Sequence, residues 1–307
     1  MENEEIKDLS IRSGMSAREL VAQFRNSGFQ AQNLGIAAEI ISEAKKNNAL
    51  TFLSFTSNMA ASGLRGIFID LAKRRKIDAI VTTSGTIDED IIRSKMPYLQ
   101  GSFEAEDEKL GKEGVNRMGN IFVPNDRYEY LEKFSRGAIE EIYGSGMKEM
   151  TASGLIREIG KRVESENSLL HWCSRNSIPV FCPGISDGAF GMQLSFFQQK
   201  HPGFRVDAVG DFAKIIAMGM GAKKSLGIIL GGGIAKHHTI IANILNGLDY
   251  AVYINSSSPY HGSLSGATTS EAKSWGKIKE NSKSVTVYGD AAIAFPLIAA
   301  SVEEFFK

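Results

Sequence analysis

The run Ser270-Glu271-Ala272-Lys273-Ser274-Trp275-Gly276-Lys277 sets a lysine two residues past a tryptophan, with a carboxylate upstream at Glu271. Only one other tryptophan, Trp172, occurs in the chain. An indole beside an amine has two uses. It keeps water off the ammonium and so frees the nitrogen lone pair to attack an imine or a carbonyl. Its face also holds a cationic ligand. The same residues serve equally as a packed turn with a solvated lysine, so their meaning depends on what the fold brings to them.

Four further constellations could carry chemistry. Gly231-Gly232-Gly233 is a candidate phosphate cradle, although it lacks the spacing of the dinucleotide fingerprint and could be a plain strand-to-helix turn. Thr83-Ser84-Gly85 is followed by Asp88 and Glu89, whose carboxylates could accept ribose hydroxyls or simply complement a helix dipole. Lys236-His237-His238 follows the glycine run, where a histidine could move protons near neutral pH. Adjacent histidines point about 100° apart on a helix, which suits one core and one surface side chain better than a shared metal. Asp187 and Asp290 are single acids beside glycines at strand ends, either helix caps or parts of an acidic rim for a cationic ligand. The two cysteines, Cys173 and Cys182, lie in or beside apolar runs and form no CxxC pair. They read as buried free thiols, and no metal site is expected.

The elements that must position these groups repeat one pattern: an apolar run, a small-residue loop, then a helical stretch. Strands are expected over 50–55, 77–81, 178–181, 226–230, 250–254 and 285–288, with helices over 64–73 and from about Asp88. Continuous apolar strands alternating with helices predict an α/β fold: a doubly wound, mostly parallel Rossmann-like sheet covered on both faces. In such folds ligands bind beyond the carboxyl ends of the strands, where all of the loops above fall. A charged stretch, Asp126 to Glu166, reads as a helical excursion packed on the main domain. Residues 1–17 form a polar N-terminal segment, and 18–307 read as a single α/β domain with no linker or repeat. Lys plus Arg and Asp plus Glu number 35 each, which argues against nucleic acid or an anionic membrane surface as partner. With an acidic start and no apolar h-region, the chain reads as cytoplasmic.

Taken together, several blocks resemble the deoxyhypusine synthase family. They include Ser27-Gly28-Phe29-Gln30-Ala31, Gly114-Val115-Asn116-Arg117-Met118-Gly119-Asn120, the run from Gly231 to His238, and Ser274-Trp275-Gly276-Lys277. The match extends in consistent order from about residue 20 to the C-terminus. The resemblance implies an enzyme that binds NAD and spermidine, oxidises the polyamine, releases 1,3-diaminopropane and holds the aminobutyl unit as an imine on a lysine. That unit then passes to a lysine of the hypusine-bearing translation factor. The resemblance makes Lys277 the nucleophile and His237 the proton carrier. Trp275, Glu271, Tyr253, Gly262 and Ser263 would form the amine site. Ser57, Asn58, Thr83, Ser84, Gly85, Asp88, Glu89, Asp187, Gly231, Gly232, Gly233, Ser256, Ser265, Asp290 and Ala291 would hold NAD, which would make 18–307 a single NAD-binding catalytic domain. It further implies a homotetramer with active sites shared between subunits, and an N-terminal segment that covers a neighbour's entrance. Three positions depart from the family pattern: Met192 and Leu264 replace acids, and His261 stands where an aspartate is usual. A small amine as acceptor, in the manner of homospermidine synthase, and a non-catalytic NAD- or polyamine-binding homologue are the competing expectations.

Overall fold

The computed structural model describes residues 4–307. Helices α1 (Ala17–Phe24) and α2 (Phe29–Lys46) precede β1 (Leu50–Phe55), α3 (Ser57–Ala61), α4 (Leu64–Lys73), β2 (Ala79–Val81) and α5 (Gly85–Lys95). An insertion follows, with β3 (Leu99–Gln100), α6 (Asp107–Lys112), β4 (Val115–Met118), β5 (Ile121–Pro124), α7 (Asp126–Gly144), β6 (Glu149–Thr151), α8 (Ala152–Arg162) and α9 (Leu169–Arg175). The alternation resumes with β7 (Val180–Phe181), α10 (Ala189–Lys200), β8 (Arg205–Asp207), α11 (Ala208–Gly221), β9 (Ser225–Leu230) and α12 (Gly233–Ala242). Last come β10 (Leu248–Asn255), α13 (Thr269–Ser274), β11 (Ile278–Tyr288) and α14 (Ala291–Ser301).

The six expected strands form one sheet in the order β11-β10-β9-β1-β2-β7, with every pairing parallel. Alternate side chains feed two separate apolar layers, because successive strand residues point to opposite faces. Leu53 and Phe55 of β1 enter one layer and Phe52 the other. Tyr250, Val252 and Ile254 of β10 divide from Ala251 and Tyr253 in the same way. Both faces are covered over the inner strands, which is why these are apolar runs. β11 begins at Ile278, ahead of the expected 285, and its polar Lys279–Ser284 lie half- or fully exposed at the sheet's edge.

Chain order fixes where a ligand can sit. From β1 the chain winds outward through β2 to β7, returns to β9 on the other side of β1, then winds outward to β11. The reversal opens a crevice beyond the carboxyl ends of β1 and β9. Thr56-Ser57-Asn58 follows β1 and Gly231-Gly232-Gly233 follows β9, so both loops face that crevice.

Three expectations need correction. The stretch Asp126 to Glu166 is two helices, α7 and α8, parted by β6, which pairs in parallel with β8. The helix expected from Asp88 begins at Gly85. Residues 99–124 hold a three-stranded antiparallel sheet, β3-β5-β4, that periodicity did not reveal. Its strands are largely half-exposed and mix charged with apolar residues, so alternation is faint. The one local signal is the Gly119-Asn120 turn, with Gly119 at φ +60.

Helix α1 starts with a capping box, Ser16 and Glu19 each bonding the other's backbone N–H. The described part of the N-terminal segment lies along its own chain. Lys7 N donates to Asn26 O at 2.9 Å, and Ser10 and Gln23 exchange two hydrogen bonds. Among the described residues no helix is long and apolar enough to cross a membrane.

Candidate active site

One half of the crevice is built from glycines that only a missing side chain allows. A Cβ on Gly85 would meet Ser57 at 2.9 Å, and one on Gly188 would meet Ser84 Oγ at 2.6 Å and Asp88 Oδ2 at 2.9 Å. A Cβ on Gly232 would meet the Ser265 Cβ at 2.6 Å. Gly231 and Gly233 take φ +79 and +65, the left-handed region that favours glycine. Ser57 N donates to Thr83 Oγ1 at 3.0 Å, and Gly233 N donates to Ser265 Oγ at 3.0 Å. Five loops are thereby pressed together at the N-termini of the helices that follow the strands, a setting that suits an anionic ligand.

The acids at this rim divide by burial. Asp88 accepts from Ala189 N at 3.0 Å and Phe190 N at 2.8 Å, so it caps α10 rather than its own helix. Burial pushes its pKa up to about 6 against the pull of those two donors. Burial likewise drives Glu89 up to about 7, against the Tyr98 hydroxyl beside it and the charges of Arg93 and Arg65. Asn255 Nδ2, at the end of β10, is buried without a partner among the described residues. An unsatisfied buried polar atom is costly, which marks Asn255 where β10 ends. Asp290 caps α14 through Ala292 N at 2.7 Å and is exposed. Asp187 and Ser256 are exposed on their loops.

The other half is an amine-sized pocket of about 140 Å³ between α12, α13 and β10. Glu271, Trp275, Lys277, Tyr253 and Gly262 line it, together with Leu264. Local sequence explains the placement of the first three. Thr268 caps α13 by accepting from Glu271 N at 3.2 Å. Gly276, at φ +68, ends the helix with Gly276 N on Lys273 O and Lys277 N on Ala272 O. This pair of bonds is a Schellman motif, which a left-handed glycine permits. It turns Lys277 back into the protein, where it is only 7% exposed, while Trp275 stays 64% exposed above it. The Lys277 ammonium lies 5.3 Å from the Trp275 ring centre.

The two histidines separate as their spacing requires. His238 packs against Phe212, ring centres 5.3 Å apart, with Nε2 buried and unpartnered. His237 faces out, and its pKa is lowered by partial burial and then by the charge of Lys277. It stands beside the pocket rather than in its wall, as does Ser263. Met192 is exposed on α10 away from that wall, whereas Leu264 is part of it. His261 accepts from Ser263 N at 3.2 Å through Nδ1 on a 3-10 turn. The residue that sequence reading passed over is Lys236, fully buried and lining the same pocket. Its signal was position: it shares the buried face of α12 with Thr239 and Ile240, three and four residues on.

Comparison with known proteins decides the family. The deoxyhypusine synthase family model matches residues 19–302. The chain belongs to the deoxyhypusine synthase family. A Thermoplasma volcanium protein named "Probable deoxyhypusine synthase" is 42% identical over 298 residues, covering 96% of each chain. One of the same name from Picrophilus torridus is 42% identical over 300 residues, covering 97% of this chain and 96% of that one. The crystal structure of an Entamoeba histolytica protein described as a "putative deoxyhypusine synthase" aligns with a TM-score of 0.69 at 26% identity, over 96% of both chains. Among the described residues no cluster of three or more His, Cys, Asp or Glu could hold a metal ion.

Proposed function

We propose that this chain transfers the aminobutyl group of spermidine, with NAD as cofactor, to a lysine of the hypusine-bearing translation factor. The observation that carries the reading is one juxtaposition: a buried Lys277 under Trp275, with Glu271 in the same pocket, beside a glycine cradle at the sheet's switch point. The cradle residues Gly231, Gly232, Gly233, Ser57, Thr83, Ser84, Gly85 and Ser265, with Asn58, Glu89, Asp290 and Ala291 around them, suit a dinucleotide. NAD when bound supplies the hydride acceptor for oxidation of the amine and the hydride donor for the final reduction.

The protein's own residues account for the rest. Glu271 holds a terminal ammonium, and the Trp275 face covers the methylene chain and its cationic end. Leu264 and Tyr253 keep water from the reacting carbon. Lys277 Nζ adds to the oxidised carbon, the C–N bond to 1,3-diaminopropane breaks, and a C=N bond joins the aminobutyl unit to Lys277. His237 is neutral around pH 7, because burial and Lys277 lower its pKa, so it can take up the proton released from nitrogen. The acceptor lysine then displaces Lys277, which is restored as a free amine.

Exposed apolar side chains support assembly into a homotetramer with shared sites. Tyr260, Leu245 and Trp275 are all exposed. Ile6 and Ile11 face outward from the N-terminal segment, which supports its role as a cover on a neighbour; its first three residues lie outside the described ones. Residues 18–307 act as one catalytic domain in this reading. The test is transfer of radiolabel from butyl-labelled spermidine. Label in the translation-factor protein, dependent on NAD, is expected. Label released only in small amines would overturn the protein acceptor in favour of a small-amine one.

A further inference from the structure

Lys236 is the most enclosed charge at the site. Its side chain has no solvent exposure. The ammonium donates to Ala267 O at 2.6 Å and Ser265 O at 3.2 Å, and lies 4.6 Å from the Tyr253 ring centre. Two carbonyls and an aromatic face occupy its donors, so the charge is compensated where it sits. Burial lowers its pKa to about 8, with the charge of Glu271 opposing that fall. An enclosed ammonium persists only where its surroundings hold it in place, and holding is mutual.

The turn it holds reaches both halves of the site. Ser265, on that turn, accepts from Gly233 N in the cofactor cradle at 3.0 Å. Leu264 and Ala267 form part of the amine pocket. The next residue, Thr268, caps α13 through Glu271 N, and α13 ends in the glycine turn that delivers Lys277. The family blocks around this turn gave no role to the lysine at its back.

We propose that Lys236 is a positioning residue that ties the amine pocket to the cofactor cradle. Its ammonium fixes the Ser265–Ala267 turn against α12. The turn in turn sets Ser265 on the glycine loop and presents α13, with Glu271 and Lys277, to the pocket. Lys236 touches no reacting atom. This rests on the reading of the pocket as the amine site, so its test has one arm that needs no activity.

Amide hydrogen exchange of the whole protein is measured for wild type, Lys236→Met and Lys236→Gln. Exchange at residues 262–268 is expected to quicken tenfold or more in Lys236→Met, with β9 and β10 unchanged. Lys236→Gln, which keeps a donor for one carbonyl, should fall between and stands in if Lys236→Met does not fold. The NAD dissociation constant should rise severalfold in Lys236→Met and in Ser265→Ala, with the double variant no worse than the weaker single variant, since the two act through one turn. Unchanged exchange at 262–268, quickening spread through β9 and β10, or fully additive losses of NAD affinity would each overturn the proposal. If wild type forms no aminobutyl adduct while exchange at 262–268 still quickens in the variant, the functional reading fails and the structural tie stands.

Discussion

At the scale of single residues, the rare tryptophan drew notice to Lys277, but the nucleophile's role proposed for it came from the family resemblance rather than from the local pattern. Lys236 drew none, because its worth lies in carbonyls that only the folded turn brings to it. The two contacts to a bound amine should differ in strength. Glu271→Gln removes a charge-assisted hydrogen bond worth ~1.5–3 kcal/mol, so KM for spermidine should rise about 10- to 100-fold. Trp275→Ala removes an exposed cation–π contact of ~0.5–1 kcal/mol, a rise of only about two- to fivefold. Steady-state kinetics that reversed this order would place the charge elsewhere. His237 titrates below the usual histidine range, so kcat/KM should decline only as pH drops beneath that range, and His237→Ala should lose that limb. Glu89 makes the opposite demand on stability. Its folded pKa is raised from 4.5 to about 7, so the stability of the neutral form is fully present below about 4.5 and lost as pH climbs towards 7. Glu89→Gln should therefore gain melting temperature over wild type at pH 8 and little at pH 5, by calorimetry. Equal gains at both pH values would mean the carboxyl is already neutral throughout.

At the scale of elements, the core strands were legible where both faces are buried. β11 was legible only over 285–288, because Lys279 to Ser284 are polar and half- or fully exposed at the sheet's edge. The antiparallel sheet over 99–124 was not, because its strands carry polar and half-exposed residues. The loops were legible as glycine-rich, but the reason for each glycine was not, since it lies in a neighbour distant in sequence. Gly232 is the clearest instance, with Ser265 where a Cβ would go. Gly232→Ala should weaken NAD binding about tenfold or more while the fold persists, because overpacking costs ~1–3 kcal/mol. Titration calorimetry with an unchanged dissociation constant would remove the cradle from the cofactor site. Three helices meet at Asp90, a carboxylate with no exposure. It accepts from Arg65 Nε at 2.7 Å, Ser168 Oγ at 2.6 Å, and Leu169 N and Leu170 N at 2.9 Å. Asp90→Asn would strand the buried Arg65 charge, with an expected loss of about 3–5 kcal/mol by denaturant unfolding. A loss under 1 kcal/mol would show that Arg65 finds another partner.

At the scale of the molecule, a balanced charge of 35 against 35 and exposed apolar side chains such as Tyr260 and Leu245 fit a chain that meets its own copies rather than a polyanion. Analytical ultracentrifugation should give four chains per particle, and dilution to monomer should cost activity. A fully active monomer would show that one chain completes the site. The whole account turns on a covalent bond to one lysine. The most direct measurement is the intact mass of the protein after incubation with NAD and spermidine and trapping with borohydride, beside Lys277→Ala. An aminobutyl increment that needs NAD, maps to Lys277 and is absent from the variant is the predicted result. No increment on wild type that binds NAD, or the same increment on Lys277→Ala, would contradict it.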